Sequence, residues 1–97
     1  MSHVPNGTVT INIMYYVYVL ESLKITGRLY IGYTTDLKAR FKKHNLGEVS
    51  STKPYLPWKL IFYEAYVKGS DAKRREMYLK TAKGRTTLKT MLKDYFG

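Results

Sequence analysis

Three stretches of the chain carry the residue types and spacing of β-strands. The first, MYYVYVLE, is rich in β-branched and aromatic residues and predicts a strand over 14–21. A loop closed by Gly27 leads to RLYIGY over 28–33, so the two stretches predict an antiparallel hairpin. The third, WKLIFYEAYV over 58–67, is apolar on both parities, which predicts a strand covered on both faces.

A helix is predicted between the second and third strands. Thr34 and Thr35 offer an N-cap to a helix over about 35–46, with Asp36 in the first turn, where the helix dipole favours a negative charge. Gly47 follows as a left-handed C-terminal cap.

Two more helices are predicted after the third strand. Ser70 caps the first of them, which runs to about Lys83 and ends at Gly84. The strongest helical stripe follows and is assigned to the core; it consists of Leu88, Met91, Leu92, Tyr95 and Phe96. The order β-β-α-β-α-α predicts an α+β domain with a small antiparallel sheet packed by helices.

The net charge of the chain then indicates which kind of partner it binds. The 97-residue chain is long enough for one domain and has 17 Lys and Arg against 7 Asp and Glu, a net charge of +10. Sixteen of the 17 basic residues fall between Arg28 and Lys93, a concentration that favours nucleic acid as partner. Solubility alone, or a structural role, is the alternative.

Other classes of protein are not supported by the composition. The chain has no cysteine, which excludes disulfides, thiolate metal sites and a cysteine nucleophile. The apolar run over 11–20 is about half the length that a membrane-spanning helix needs and lacks the basic start of a signal peptide. A soluble, cytoplasmic protein without a membrane partner is expected, and a monomer is favoured.

One stripe of the first predicted helix mixes apolar and basic side chains. Its positions i, i+3, i+4 and i+7 are Leu37, Arg40, Phe41 and His44. An arginine beside core residues has to stay hydrated, pair with an anion, or lie at an edge where a ligand arrives. The alternative is that Arg40 extends to solvent and His44 caps a neighbouring group.

Glu76 poses the same question in the second predicted helix, where it shares a stripe with Ala72 and Leu79. Five basic residues lie near it in sequence: Lys73, Arg74, Arg75, Lys80 and Lys83. A single carboxylate on a basic surface can hold a hard cation against phosphates, because Mg²⁺ often takes only one or two carboxylates. The alternative is a surface ion pair with Lys80, four residues on.

Tyrosines on the hairpin supply further candidate groups. Tyr16 and Tyr18 share one face of the first strand, and Tyr30 is expected across from them, although aromatic packing alone is the alternative. Gly32 indicates a bulge or the close approach of another group.

These residues together resemble the GIY-YIG nuclease family. The resemblance rests on YVY at 16–18, eleven intervening residues, YIG at 30–32, and then Arg40, His44 and Glu76 on later helices. It spans roughly 14–92 and is greatest to small stand-alone members similar to the catalytic domain of the bacterial excision-repair nuclease subunit. It implies a three-stranded antiparallel sheet flanked by three helices, in a single domain over 14–97 preceded by an N-terminal extension over 1–13.

The resemblance implies a role for each candidate. Tyr18 and Tyr30 match the pair that orients and deprotonates the attacking water, and Arg40 matches the arginine that binds the scissile phosphate. His44 matches a position near the site, and Glu76 matches the ligand of a single divalent metal, Mg²⁺ or Mn²⁺. Tyrosine is a poor base at neutral pH, so Arg40 and the metal are expected to favour the phenolate.

The function implied is a metal-dependent endonuclease acting on DNA, with structured, damaged or single-stranded DNA as candidate substrates and DNA repair as the setting. The residues predicted to contact nucleic acid are Arg40, Lys43, Arg74, Lys80 and Lys83. Departures from the family pattern are Tyr16 in place of glycine and Tyr33 where some relatives have lysine. The alternative function is a catalytically silent nucleic-acid-binding module.

Overall fold

The central strand of the sheet is the first in sequence. A computed structural model describes residues 13–97, and its three antiparallel strands lie in the order β2-β1-β3. Their bounds are β1 Tyr15–Ser22, β2 Leu29–Thr34 and β3 Trp58–Tyr66, each within one residue of the prediction. The hairpin and the α+β class are confirmed. The predicted N-terminal extension lies outside the described residues, apart from Ile13, which is exposed.

Helices cover both faces of this sheet. They are α1 Leu37–Asn45, α2 Gly69–Leu79, α3 Ala82–Met91 and the short α4 Lys93–Phe96, with a 3₁₀ turn over Lys53–Tyr55 before β3. None of the helices in the described part of the chain is both long and apolar enough to cross a membrane.

The helix caps differ in part from the prediction. Asp36, and not Thr34 or Thr35, caps α1, and its side chain accepts a hydrogen bond from the backbone N–H of Ala39 at 3.1 Å. Gly47 has the expected left-handed conformation, with φ +75°.

Further along the chain, α2 begins at Gly69 after Lys68, so the predicted cap at Ser70 is wrong. The prediction that α2 continues to Lys83 and ends at Gly84 is also wrong. α2 ends at Leu79, and Thr81 caps a new helix by accepting a hydrogen bond from the N–H of Gly84. Gly84 lies in the first turn of α3, where any Cβ would overlap the carbonyl oxygen of Tyr78. This glycine therefore allows the start of α3 to pack directly on the end of α2.

β1 is buried on both faces because it lies between the other two strands. On one face a core forms from Val17, Val19, Ile31, Ala72, Leu79 and Leu88. On the other face Tyr18, Leu20 and Trp58 are buried beneath side chains of α1 and of the loop before β3. The second face carries the candidate site.

Two predictions of burial are wrong. β3 is not covered on both faces, because Tyr63 and Ala65, which share one face of the strand, are exposed, Tyr63 by 53%. The C-terminal stripe is not all core, because α3 ends at Met91 and a second short helix follows. Leu88 is buried, whereas Met91 and Tyr95 are exposed.

Candidate active site

The site begins with the side chain of Tyr18 lying across Gly32. The two residues are direct partners in the β1–β2 ladder, and a Cβ at position 32 would overlap the ring and hydroxyl of Tyr18. This is the close approach that the sequence led us to expect at Gly32. Because the glycine leaves room for the ring, Tyr18 is completely buried.

The hydroxyl of Tyr18 joins two side chains of α1. It lies 2.7 Å from Nε2 of His44 and accepts a long hydrogen bond of 3.4 Å from Nε of Arg40. Thr52 settles the tautomer of the histidine, because its hydroxyl donates to the carbonyl of Val49 and so accepts from Nδ1–H of His44 at 2.9 Å. Nε2 is then the acceptor, and Tyr18 donates to it.

Burial is the main factor that determines which side chains of this cluster are charged at neutral pH. It raises the pKa of Tyr18 to about 12, outweighing the opposite effect of the hydrogen bond from Arg40. Burial, together with the charge of Arg40, lowers the pKa of His44 to about 4. At neutral pH the chain therefore holds a phenol, a neutral imidazole and a guanidinium. Arg40 favours the phenolate of Tyr18, as expected, but burial outweighs this effect.

Tyr30 completes the cluster from β2. It pairs with Leu20 in the ladder, so it lies diagonal to Tyr18 and not across from it as expected. Its ring centroid lies 6.2 Å from that of Tyr18 and 4.9 Å from that of His44. Hydrogen bonding to Tyr18 first, and also to Tyr30, raises the pKa of Arg40. Tyr30 is only half-buried, so its hydroxyl can meet solvent.

The mixed stripe of α1 follows from this arrangement. Leu37 and Phe41 pack on the buried cluster of Tyr18, Leu20 and Trp58. Arg40 lies at the rim, half-buried, with its Nε on Tyr18. The alternative in which Arg40 simply extends to solvent is not what the structure shows.

Glu76 approaches from α2, in the other helical layer. It is 7% exposed and shares the buried face of α2 with Ala72 and Leu79, as predicted. Its carboxylate also forms ion pairs with Lys80 at 3.1 Å and with Lys73 at 3.5 Å, so the alternative pairing with Lys80 is present as well. Its charge is among those that raise the pKa of Tyr18, which relates Glu76 electrostatically to the cluster.

The described residues offer few ligands for a metal ion. Across residues 13–97 there is no group of three or more His, Cys, Asp or Glu placed to bind an ion. Glu76 offers hard carboxylate oxygens, which suit Mg²⁺ or Mn²⁺ when water and substrate oxygens supply the other ligands. Lys73 and Lys80 have half-exposed side chains that can turn away from the carboxylate.

The residues predicted to contact nucleic acid are not all brought together. Lys43 is exposed and lines a shallow cavity with Arg40. Lys80 pairs with Glu76, and Lys83 is exposed on α3. Arg74 pairs with Asp71 at 3.0 Å and lines a separate pocket, so its part in binding stays a prediction.

Thr52 is a site residue that the sequence did not reveal. It is 1% exposed and fixes the ring of His44 from the loop before β3. Thr52 stands in a stretch of loop residues, GEVSSTKPYLP, where nothing in the pattern distinguishes it from its polar neighbours. Its partner becomes evident only once the loop has packed on α1.

Comparison with known proteins agrees with this geometry. The profile of the GIY-YIG catalytic domain matches residues 14–89. The chain belongs to the GIY-YIG family. This family is one of nucleases, so the chain carries a nuclease-type domain and nucleic acid is the implied class of partner.

Relatives within the family are small proteins named UPF0213. One from Streptococcus agalactiae serotype V is 44% identical over 66 residues, which is 67% of this chain and 73% of that protein. One from Streptococcus pyogenes serotype M3 is 42% identical over 72 residues, covering 73% and 76%. The solution NMR structure of a UPF0213 protein from Bacillus halodurans is 32% identical, with a TM-score of 0.51 over 80% of this chain and 84% of that one.

Gly32→Ala tests the close approach of Tyr18. The added methyl group forces the Tyr18 ring or β2 to move, so we expect a loss of about 1–3 kcal/mol in the free energy of unfolding. Urea denaturation followed by circular dichroism measures it. Gly69→Ala is the matched control, because its methyl would meet ring atoms of Tyr15 only at 3.2 Å, and a smaller change is expected. Unchanged stability in Gly32→Ala would contradict the packing described.

The lowered pKa of His44 predicts that the stability of the fold depends on pH. Its pKa is lowered from 6.5 to about 4, so the unfolded chain takes up a proton at a higher pH than the folded chain. The resulting stability is complete above about pH 6.5 and is lost as the pH falls towards about 4, by up to about 3 kcal/mol. His44→Gln keeps hydrogen-bonding groups but does not titrate. We expect the wild type to lose more stability than this variant between about pH 7 and about pH 4.5 in urea titrations, and equal losses would refute the buried neutral imidazole.

Proposed function

We propose that the protein is a metal-dependent endonuclease that hydrolyses phosphodiester bonds in DNA. The observation that carries the proposal is the convergence of Tyr18, Tyr30, Arg40 and His44: Arg40 and His44 are both hydrogen-bonded to the Tyr18 hydroxyl, and the ring of Tyr30 lies against that of His44. A family of nucleases and a net charge of +10 support a nucleic-acid substrate. Structured, damaged or single-stranded DNA, a role in repair, and action as a cytoplasmic monomer complete the proposal.

Arg40 binds the scissile phosphate. Its Nε is directed to Tyr18, which leaves the terminal nitrogens of the guanidinium for the non-bridging oxygens. Lys43 lies beside it on the open side of α1 and adds a second positive charge. As negative charge grows on the phosphoryl oxygens, these fixed cations stabilise it.

Tyr30 activates the water. Its half-buried position supports this role, whereas Tyr18 is enclosed. Tyr30 acts as the general base and takes the proton of the water as the water oxygen attacks phosphorus. The bond from phosphorus to the 3′ oxygen breaks and that oxygen takes up a proton, giving a 3′-hydroxyl and a 5′-phosphate.

Tyr18 and His44 assist by position. The donated hydrogen bond to His44 fixes the orientation of the Tyr18 hydroxyl, and its oxygen in turn holds Nε of Arg40. Tyr18 is a phenol at neutral pH, because its pKa is about 12. It therefore acts through hydrogen bonds and leaves the proton transfer to Tyr30.

Glu76 is the residue that would hold Mg²⁺ or Mn²⁺. Bound there, the ion would supply a Lewis acid that stabilises charge on the leaving oxygen. Lys73 and Lys80, which pair with this carboxylate, would then be available to substrate phosphates.

The alternative is a nucleic-acid-binding module without chemistry. It is favoured by the occupation of Glu76, whose two carboxylate oxygens are each paired with a lysine. In such a protein the basic surface acts alone, and affinity depends on salt but not on the tyrosines.

Cleavage assays distinguish the two. Wild type is incubated with Mg²⁺ or Mn²⁺ and a panel of duplex, branched and single-stranded DNA and RNA, beside Tyr30→Phe and Glu76→Gln. We expect Tyr30→Phe to lose roughly 10²–10⁴-fold in rate, the usual range for a positioned proton-transfer group. Glu76→Gln is expected to lose the metal-dependent cleavage, because an amide is a weaker ligand for Mg²⁺ than a carboxylate. Tyr63→Phe is the control, because Tyr63 is an exposed tyrosine of β3, and it should cut within about twofold of wild type.

The opposite outcome of these assays would contradict the proposed activity. If the wild type cuts nothing that Glu76→Gln leaves intact, the proposed activity is wrong. If all of these proteins then still bind DNA in a salt-dependent way, the binding module is correct.

A further inference from the structure

A second basic pocket adjoins the candidate site at the start of β2. It has a volume of about 430 Å³, and its polar lining includes Arg28, Ser51 and Arg85. No Asp or Glu lines it. Tyr30 forms part of its wall and also lies against His44, with the two ring centroids 4.9 Å apart, so this tyrosine is shared by the pocket and the candidate active site.

Arg85 is the unusual member of this pocket. Its Nε is buried and has no hydrogen-bond partner, and among residues 13–97 no carboxylate pairs with its guanidinium. Leaving a buried donor of a charged group unpaired destabilises the folded chain. By contrast, Arg75, the other partly buried arginine of the helical layer, is held by Glu64 at 2.9 Å.

The backbone fixes the position of Arg85. Thr81 caps α3, and Gly84 allows the first turn of this helix to lie directly against the carbonyl of Tyr78. Arg85 is the next residue, so the position of its Cα is set by the contact between Gly84 and Tyr78, which leaves no room for a side chain at position 84. The packing of α3 on α2 thus places the backbone of Arg85 beside the pocket that its side chain lines.

The opposite wall of the pocket is also ordered. The guanidinium of Arg28 lies over the ring of Tyr55 at 3.9 Å from its centroid. Trp58 donates its indole N–H to the carbonyl of Thr52 at 2.9 Å, which ties this wall to the loop that holds His44. Two arginines therefore face one cavity on rigid supports, a preorganised arrangement for an anion.

We infer that this pocket binds a backbone phosphate of the nucleic-acid strand, next to the phosphate that is cut. The inference rests on the proposed function for its neighbour, Arg40, but it concerns binding and not chemistry. Arg28 and Arg85 share the one phosphate, and Ser51, which lines the same cavity, supplies a hydroxyl donor. Such a contact fixes the register of the strand and is independent of its base sequence.

Binding is measured by fluorescence anisotropy with fluorescein-labelled single-stranded and duplex DNA in EDTA, which prevents metal-dependent cleavage. Arg28→Gln and Arg85→Gln are each expected to weaken binding roughly tenfold. Each should also reduce the slope of log affinity against log salt by about 0.7 for single strands or about 0.9 for duplex, the loss of one phosphate contact. The double variant should lose no more slope than either single variant.

Lys68→Gln is the matched control. Lys68 is exposed and follows β3 at the end of the sheet where Tyr66 pairs with Tyr15. Arg28 lies at the opposite end, where Ser22 pairs with Trp58. The Lys68→Gln substitution therefore removes the same charge far from the pocket, and the salt slope of this variant should match that of wild type. Arg28 is exposed, so Arg28→Gln tests the pocket even if Arg85→Gln folds poorly.

Three results would overturn the inference. In the first, Arg28→Gln and Lys68→Gln behave alike. In the second, Arg85→Gln alters the melting temperature but not the salt slope, which would make Arg85 a packing residue only. In the third, the wild type does not bind in EDTA. None of these depends on cleavage, so failure of the pocket and failure of the nuclease proposal remain separate outcomes.

Discussion

The hydroxyl of Tyr18 is the constraint on which the rest of the site depends. A completely buried phenol has to satisfy its hydroxyl group, and here it does so by donating to His44 and accepting from Arg40. Both partners come from α1, so this one group fixes the helix on the sheet. The arrangement in turn requires the absence of a side chain at Gly32 and a second partner for His44, supplied by Thr52. Strand, helix and loop are thereby joined at a single oxygen atom.

The same central strand serves two purposes because its faces are covered differently. One face packs Val17 and Val19 into the apolar core beneath α2 and α3. The other presents Tyr18 to α1, where polar groups are admitted at the rim. Basic side chains, Arg40 and Lys43 among them, lie at this rim. Carboxylates pair with Arg74, Arg75, Lys73 and Lys80. By contrast, Arg40 is hydrogen-bonded to the Tyr18 hydroxyl and forms no ion pair with an acid in the described part of the chain.

Local patterns predicted the strands to within one residue, the shared stripe of Arg40 and His44, and the buried face of Glu76, since each depends on spacing within one element. Features that depend on contacts between distant segments were not predictable. Strand order leaves Tyr63 on an exposed edge, and a tight contact with Tyr78 puts Gly84 inside a helix. The charge state of Tyr18 also escaped prediction, because neighbouring cations are evident in sequence while the depth of burial is not.

The central claim is that Tyr18 is a neutral phenol donating to Nε2 of a neutral His44. Nitrogen-15 NMR of histidine-labelled protein at about pH 7 measures the protonation of both ring nitrogens directly. For His44 the structure predicts a proton on Nδ1 and an unprotonated Nε2 that accepts a hydrogen bond from Tyr18, with little change on titration down to about pH 5, because the pKa of His44 is about 4. A proton on Nε2, or an imidazolium at about pH 6, would contradict it.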